Sequence, residues 1–340
     1  MRALALWVTP PYQNDEIFKP ESPMNRDDCL APFTALKKDL ERRGWSCHTQ
    51  DYFLSRSENP TDVLFTDMPP DPVASITCNW NAKAHLLIQE CEVVLPRNWN
   101  LSLHDQFTSV FTWHPDLIRK GGKYRETNFA LSLQAPPIGK PFESRKLCAL
   151  IAGNKGSAHR HELYSKRIEA IRYFEENAPE SFDLYGVGWD QLKHSGLLFK
   201  ALNKVPAISK KLATKYPSYH GRVKSKVETL QSYKFAICFE NAREIPGYVT
   251  EKIFDCLMAG CVPVYWGAPD ILDRVPKACL IDFRDFKSYD DLHTHMKAFT
   301  DQDFAKFLTA TREFLASEKS KRYSIDFFAN AIASGLAGPQ

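Results

Sequence analysis

The sequence predicts an α/β protein with two doubly wound domains that face each other across a cleft, followed by C-terminal helices. First, a chain of 340 residues is too long for one ordinary core and suits two domains of usual size. Second, strand-like and helix-like segments alternate in both halves, which indicates βαβ units and largely parallel sheets. Third, the stretch LQAPPIGKP at 133–141 is rich in proline and glycine and lacks apolar periodicity, as is typical of a linker.

The N-terminal half carries one predicted helix and five predicted strands. The helix is APFTALKKDLERRGW at 31–45, which has amphipathic spacing and is closed by Gly44. The strands are apolar or alternating runs, predicted at 3–9, 62–68, 84–90, 107–113 and 128–133. These elements define a predicted N-terminal domain over residues 1–135.

The alternation begins again after the linker. Strands are predicted at 146–154, 182–189 (with a turn), 233–241, 261–266 and 278–283. Helices are predicted at 159–179 and 248–260, and helical patterns dominate from 289 to 337. We expect a C-terminal domain over residues 145–320 and a final helix or tail over 321–340, which packs on the domain or on a second subunit.

Composition excludes several classes of protein. The nine cysteines are scattered and never spaced Cys-x-x-Cys, which argues for reduced, mostly buried thiols in a cytosolic protein and against a disulfide frame or a zinc site. No stretch approaches the roughly 20 apolar residues of a membrane span, and the first residues make a poor signal peptide. A net charge of +3 gives little support for a nucleic-acid partner. The basic segment 200–226 is interpreted as a solvated surface rather than a phosphate or acceptor site.

A cluster of polar residues separates two apolar runs in FENAREIPGYVTEKIFDCLMAGCVPVYWG, residues 239–267. Glu240 and Asn241 follow a predicted strand, so their side chains should emerge at its carboxyl end, where ligands bind in such sheets. The following helix should place Glu251 and Lys252 in its first turn and end at Gly260. Free N–H groups and the helix dipole make such a helix start a ready anion site.

The same block resembles the donor-binding motif of the α1,3/α1,4-fucosyltransferases, with its Phe-Glu-Asn and Tyr-Val-Thr-Glu-Lys elements. HRHELY, DLYGVGW and LQSYKF are similar to other segments of that family, so the resemblance covers about residues 145–276. It implies the GT-B architecture of two Rossmann-like domains, with the donor GDP-fucose in the C-terminal domain, the acceptor in the N-terminal domain, and transfer with inversion.

Residue roles are carried over from the resemblance by position. Arg160 and Lys252 would hold the diphosphate, where cations stabilise the charge that develops on the leaving group. Glu251 would hold the ribose hydroxyls, and Asn241 and Tyr248 the phosphate and sugar region. Glu240 completes the predicted donor-binding set.

The resemblance also implies a carboxylate base that follows an apolar strand of the N-terminal domain. Glu90, at the end of LLIQE, is the best match to that position, although the family's Ser-Pro is replaced there by Cys91 and Glu92. Since positions 90 and 92 share one face of a strand, spacing leaves Glu92 as an alternative.

No metal and no cofactor are expected for the chemistry. The pair Asp301 and Asp303 lies at a helix start, where acids act as caps, and His159 and His161 should lie on different faces of a helix. Six aromatic residues could offer a surface for sugar stacking, although core packing is their usual fate: Trp7, Tyr12, Trp80, Trp99, Trp113 and His114.

The sequence thus predicts a bacterial-type fucosyltransferase that acts in the cytoplasm, with at most peripheral contact at the inner face of the membrane. The expected acceptor is an oligosaccharide or lipopolysaccharide precursor, modified through an α1,3 link to N-acetylglucosamine or glucose, and no nucleic acid is involved. A homodimer stays open, as do two alternatives: a transferase for another GDP-sugar, and a catalytically silent nucleotide- or glycan-binding protein.

Overall fold

The computed structural model describes residues 2–78, 80–137, 139–191 and 213–337. The chain folds into two compact units. Unit 1 consists of Met1–Gln134, Ile245–Glu251 and Leu315–Gln340, and unit 2 of Ala135–Glu244 and Lys252–Phe314. The boundary between 134 and 135 falls inside the predicted linker. The segment Ile245–Glu251 groups with unit 1, although the sequence placed it inside the C-terminal domain, because Tyr248 packs against Trp113.

Unit 1 is built on a parallel sheet of six strands in the order β2-β1-β3-β4-β5-β6. The strands are β1 (Ala3–Trp7), β2 (Ser46–Thr49), β3 (Asp62–Thr66), β4 (Lys83–Leu87), β5 (Ser109–Thr112) and β6 (Tyr124–Glu126). The helices of this unit are α1 (Ala31–Arg42), α2 (Gln50–Leu54), α3 (Val73–Thr77) and α4 (Pro115–Lys120), and near the end of the chain α11 (Glu318–Lys321) and α12 (Ile325–Ala337).

Strands β1 and β3 of unit 1 are buried on both faces, as parallel strands covered by helices should be. Side chains alternate between two buried clusters because successive strand residues point to opposite faces. Leu4 and Leu6 lie in the cluster that contains residues of α1 and α12, whereas Ala3 and Ala5 lie in the other cluster.

Unit 2 has a parallel sheet of five strands in the order β11-β10-β9-β7-β8. The strands are β7 (Lys146–Ile151), β8 (Phe182–Tyr185), β9 (Tyr233–Phe239), β10 (Val262–Trp266) and β11 (Ile281–Asp282). The described helices are α5 (Tyr164–Asn177), α6 (Lys226–Leu230), α7 (Glu251–Ala259, whose first residue belongs to unit 1), α8 (Ile271–Arg274), α9 (Tyr289–Ala298) and α10 (Asp301–Leu315). β9, whose carboxyl end carries the polar cluster, is central and almost wholly buried.

Three predictions of elements are wrong. Residues 128–133 form no strand; Leu131 makes only an isolated bridge to Ser324, and the edge strand β6 lies earlier. The helix predicted from 159 begins only at Tyr164, because the preceding residues pair with the segment after β9. The strand predicted at 278–283 is reduced to Ile281–Asp282, since 277–279 form a 3-10 turn.

The cysteines are mostly buried, as predicted. All nine cysteines are free, and seven of them are buried. None of the helices within the described residues combines the length and apolar character needed to cross a bilayer. Much of the basic segment, residues 200–212, lies outside the described residues.

Candidate functional site

The carboxyl end of β9 places Glu240 inside unit 2. Its side chain is fully buried, and its N–H donates to the carbonyl of Trp266 at 2.8 Å, so the chain stays in register with β10 for one residue beyond the strand. Gly267 lies directly beside it: a Cβ at this position would come within 2.5 Å of both Glu240 Cγ and the Tyr265 hydroxyl. Only glycine therefore lets the chain pass this close to the Glu240 side chain.

Lys252 forms an ion pair with Glu240. The Lys252 Nζ lies 3.2 Å from Glu240 Oε2, and the two side chains are 21% and 0% exposed, respectively. Helix α7 begins at Glu251, so Glu251 and Lys252 are in its first turn, as predicted. The helix ends before Gly260, which takes the predicted left-handed conformation with φ +62°. A lysine in a first turn opposes the helix dipole, and the Glu240 carboxylate offsets that conflict.

Arg160 lies near the residues that follow Asn241 because two irregular segments pair in unit 2. Glu162 and Ala242 form an antiparallel bridge. The N–H of Leu163 donates to the Asn241 carbonyl at 3.1 Å. This ladder holds the backbone of Arg160, whose side chain is exposed, next to the residues that follow β9.

The sequence missed Arg167, which fixes the Asn241 side chain. Its buried guanidinium donates through Nε and Nη2 to the Phe239 carbonyl at 3.2 and 2.7 Å, and through Nη2 to Asn241 Oδ1 at 3.1 Å. The amide of Asn241 is thereby oriented with its oxygen toward α5. A signal was available in the sequence, since Arg167 lies on the stripe of α5 that otherwise carries buried apolar residues.

The candidate base Glu90 lies in unit 1, just after β4. Asp67, at the end of β3, accepts the N–H groups of Gln89 and Glu90 on Oδ1 at 2.7 and 3.0 Å. Asn98 donates from Nδ2 to the same oxygen at 2.6 Å and to the Glu90 carbonyl at 3.0 Å. Burial raises the pKa of the Asp67 carboxyl, and these hydrogen bonds offset only part of that rise. Asp67 and Asn98 thus fix the backbone that carries Glu90.

Tyr248 contacts the Glu90 side chain. Its hydroxyl donates to Glu90 Oε2 at 3.3 Å, and its buried ring packs against Trp113 at 5.0 Å and Phe129 at 6.0 Å between ring centroids. The argument that Glu90 and Glu92 share a strand face is wrong, because β4 ends at Leu87 and both residues lie beyond it. The observed contact distinguishes the two: the Tyr248 hydroxyl meets Glu90.

The remaining residues with predicted roles have clear structural positions. Thr300 and Asp303 cap α10 reciprocally, since each backbone N–H donates to the other side chain, at 3.1 and 3.2 Å, so the predicted capping role is confirmed for Asp303. His159 and His161 are not on separate helix faces; their rings pack at 5.5 Å in the irregular segment before α5. Among the described residues, no group of three or more His, Cys, Asp and Glu could hold a metal ion.

Of the six aromatic residues considered for sugar stacking, one side chain is buried and five are half-buried. Trp113 is buried in the core of unit 1. Trp7 contacts Trp80 at 6.3 Å, and Trp99 contacts His114 at 5.3 Å; these four side chains are half-buried, as is Tyr12.

Part of the sequence matches a family model and several curated proteins. Residues 189–326 match the model described as "Glycosyltransferase family 10 (fucosyltransferase) C-term". An α-(1,3)-fucosyltransferase, FucT, of Helicobacter pylori is 41% identical over 86 residues, which are 23% of this chain and 18% of the relative. An α-(1,4)-fucosyltransferase of Arabidopsis thaliana is 38% identical over 76 residues, 22% of this chain and 19% of the relative. The chain thus aligns with less than a fifth of the length of these relatives.

Solved structures match the whole chain at low identity. An α1,3-fucosyltransferase structure covers 100% of this chain and 91% of its own, with a TM-score of 0.57 and 16% identity. Anabaena HepE, solved with UDP-glucose, covers 100% of both chains with a TM-score of 0.58 and 11% identity. At such identities the likeness shows the fold, and the predicted GT-B fold class is confirmed. The family match over residues 189–326 confirms the predicted resemblance of this part of the chain to the fucosyltransferases of glycosyltransferase family 10.

Proposed function

We propose that this protein transfers fucose from GDP-fucose to a hydroxyl group of a glycan, with inversion at the sugar carbon. The observation that carries the proposal is the arrangement at the carboxyl end of β9, where Lys252 pairs with Glu240 and Asn241 follows the strand, within the residues 189–326 that match the fucosyltransferases. Arg160 precedes this range, on the segment that pairs with the residues after β9. A curated relative with this match is an α-(1,3)-fucosyltransferase, and a structural neighbour was solved with GDP-fucose.

Unit 2 would bind the donor. Breaking the bond between the sugar and the diphosphate leaves negative charge on the departing GDP, and cations held at the phosphates lower the energy of that state. Lys252 supplies a point charge whose position is fixed by Glu240, and Arg160 supplies a guanidinium suited to two phosphate oxygens. Glu251, in the first turn of α7, would accept hydrogen bonds from the ribose hydroxyls.

In unit 1, Glu90 would take the proton from the attacking acceptor hydroxyl as the new glycosidic bond forms. The nucleotide leaves as a diphosphate and needs no acid. The Tyr248 hydroxyl, which donates to Glu90 Oε2 at 3.3 Å, would help to orient this carboxylate.

The cations at the diphosphate support a reaction without a metal ion, and we include metal independence in the proposal. The acceptor is proposed to be a surface polysaccharide or lipopolysaccharide precursor linked α1,3, and the reaction is proposed to take place in the cytoplasm, in line with nine free cysteines.

Purified protein should release GDP from GDP-fucose and transfer fucose to N-acetylglucosamine-containing acceptors, with EDTA present. The configuration of the product, read by NMR, tests inversion, and a panel with GDP-mannose and UDP-glucose tests the sugar and the nucleotide. UDP-glucose belongs in the panel because the likeness to HepE is as close as that to the fucosyltransferase. Binding of GDP without turnover of any donor would favour a silent binding protein.

A further inference from the structure

Arg243 is an arginine near the carboxyl end of β9 to which the sequence analysis gives no role, unlike Arg160. Its backbone N–H donates to the His161 carbonyl at 2.8 Å, which extends the ladder that holds Arg160. Its Nη2 approaches the Arg160 carbonyl at 3.5 Å, and its guanidinium lies 5.6 Å from the centre of the Trp266 ring. The two arginines are therefore carried by adjacent backbone segments of unit 2.

The guanidinium of Arg243 has an unmet hydrogen-bonding requirement. Its Nε is buried and has no hydrogen-bond partner in the described part of the chain. Within those same residues, neither Arg243 nor Arg160 has a carboxylate at ion-pair distance. The stretch 192–212 contains no Asp or Glu, so it offers no side-chain carboxylate either.

A buried donor without an acceptor costs free energy, and a cation without a nearby carboxylate keeps its charge uncompensated. An anion bound at Arg243 would remove both costs. The cation–π contact with Trp266 limits the motion of the Arg243 side chain, so binding an anion costs this side chain little conformational entropy. Phosphate oxygens match a guanidinium through two parallel hydrogen bonds, which makes arginine well suited to such a ligand.

We propose that Arg243 binds the diphosphate of the nucleotide-sugar donor, as a third cation beside Arg160 and Lys252. This inference rests on the proposed function, because it takes GDP as the nucleotide. The buried Nε and one Nη of Arg243 would donate to phosphate oxygens, while the Trp266 ring keeps the guanidinium in place.

The test compares GDP and guanosine binding by calorimetry in wild type, R243Q, R243K and the control R312Q. Arg312 is an exposed residue of α10 in the same unit. R243Q should weaken GDP binding by about tenfold to a hundredfold, the usual effect of losing a hydrogen bond to a charged group, and should leave guanosine binding unchanged. R243K, which keeps the charge but loses the paired geometry, should lie between wild type and R243Q, and R312Q should match wild type.

The outcomes separate this inference from the proposed function. Equal GDP affinity in wild type and R243Q would overturn the role of Arg243 and leave the donor assignment intact. A loss that is the same for guanosine would place Arg243 at the base or ribose and also overturn the inference. Absence of GDP binding in wild type would overturn the proposed function and the inference with it. Melting temperatures of the unliganded variants check folding; if R243Q does not fold, a GDP affinity of R243K equal to wild type refutes the paired geometry.

Discussion

Replacing Lys252 with Met should destabilise unit 2, because it leaves the Glu240 carboxylate buried without its cation. Glu240 is fully buried and Lys252 is 21% exposed, so this is an interior pair rather than a surface pair. Removing one partner of such a pair costs about 3 to 5 kcal/mol. Removing the lysine charge from the start of α7 also removes its repulsion by the helix dipole, which stabilises the variant by at most about 1 kcal/mol. The net effect remains a loss of stability.

The reverse change should cost less. In Glu240→Gln the lysine keeps its charge, but its partly exposed side chain can turn toward water, and we expect a loss of about 1 to 2 kcal/mol. The double variant Lys252→Met, Glu240→Gln should be more stable than the sum of the two single changes predicts, by about 2 to 3 kcal/mol. The control is Lys306→Met, which breaks a surface pair with Asp303 at 3.9 Å and should cost no more than about 1 kcal/mol.

Urea unfolding followed by circular dichroism gives the free energies of unfolding of wild type and the four variants. Thermal unfolding gives a second measure, and the melting temperature should fall by on the order of 10 °C in Lys252→Met. If Lys252→Met loses no more stability than Lys306→Met, or if the two site changes add without coupling, the ion pair does not stabilise the fold and the account of Glu240 as an orienting residue is refuted. GDP affinity, measured on the same samples, should fall in Lys252→Met.

Three further changes test other parts of the site. Glu90→Gln should preserve GDP binding and abolish fucose transfer, and full activity in this variant would exclude Glu90 as the base. Asp67→Ala removes the acceptor of three hydrogen bonds that fix the backbone of Glu90, so it should lower kcat while the Kd for GDP stays unchanged. Asp67→Asn keeps a side-chain oxygen and tolerates the positive φ of this residue, so it should recover part of the rate. Gly267→Ala should lower the melting temperature, because its Cβ would overlap the Glu240 side chain and the Tyr265 hydroxyl; an unchanged value would show that these groups move aside at no cost.

Local patterns predicted the elements whose apolar residues follow a clear period. β1, β3, β7 and β9 were predicted because buried parallel strands are apolar throughout. The strand predicted at 128–133 is wrong although its composition is favourable, and β6 was missed because three residues are too short to show a period. The start of α5 was misplaced because pairing with the segment after β9 overrides the helical preference of residues 159–163.

The candidate site likewise contains residues that local sequence patterns predict and contacts that they do not predict. Glu240, Asn241, Glu251 and Lys252 lie within one stretch of sequence, so their positions at a strand end and a helix start were predictable. The partners that orient them were not predictable from that stretch. Arg167 reaches Asn241 across 74 residues of chain, and Asp67 reaches the backbone of Glu90 across 23 residues. Such contacts depend on the order of strands in a sheet, which local spacing does not report.

The C-terminal helix α12 has a consequence for the order in which unit 1 can fold. Phe328 packs edge-to-face on Phe33 of α1 at 5.6 Å, Gly335 lies against the Phe111 ring, and Arg2 donates to the Leu336 carbonyl at 3.0 Å. The core around β1 is therefore closed by residues that the ribosome adds more than 300 positions after it. While unit 2 is being synthesised, the sheet face that α1 and α12 cover together is protected by α1 alone, and a partly exposed apolar face is prone to aggregation. Chaperone dependence and sensitivity to truncation at this end of the chain should therefore be concentrated in unit 1, the unit that is synthesised first and completed last.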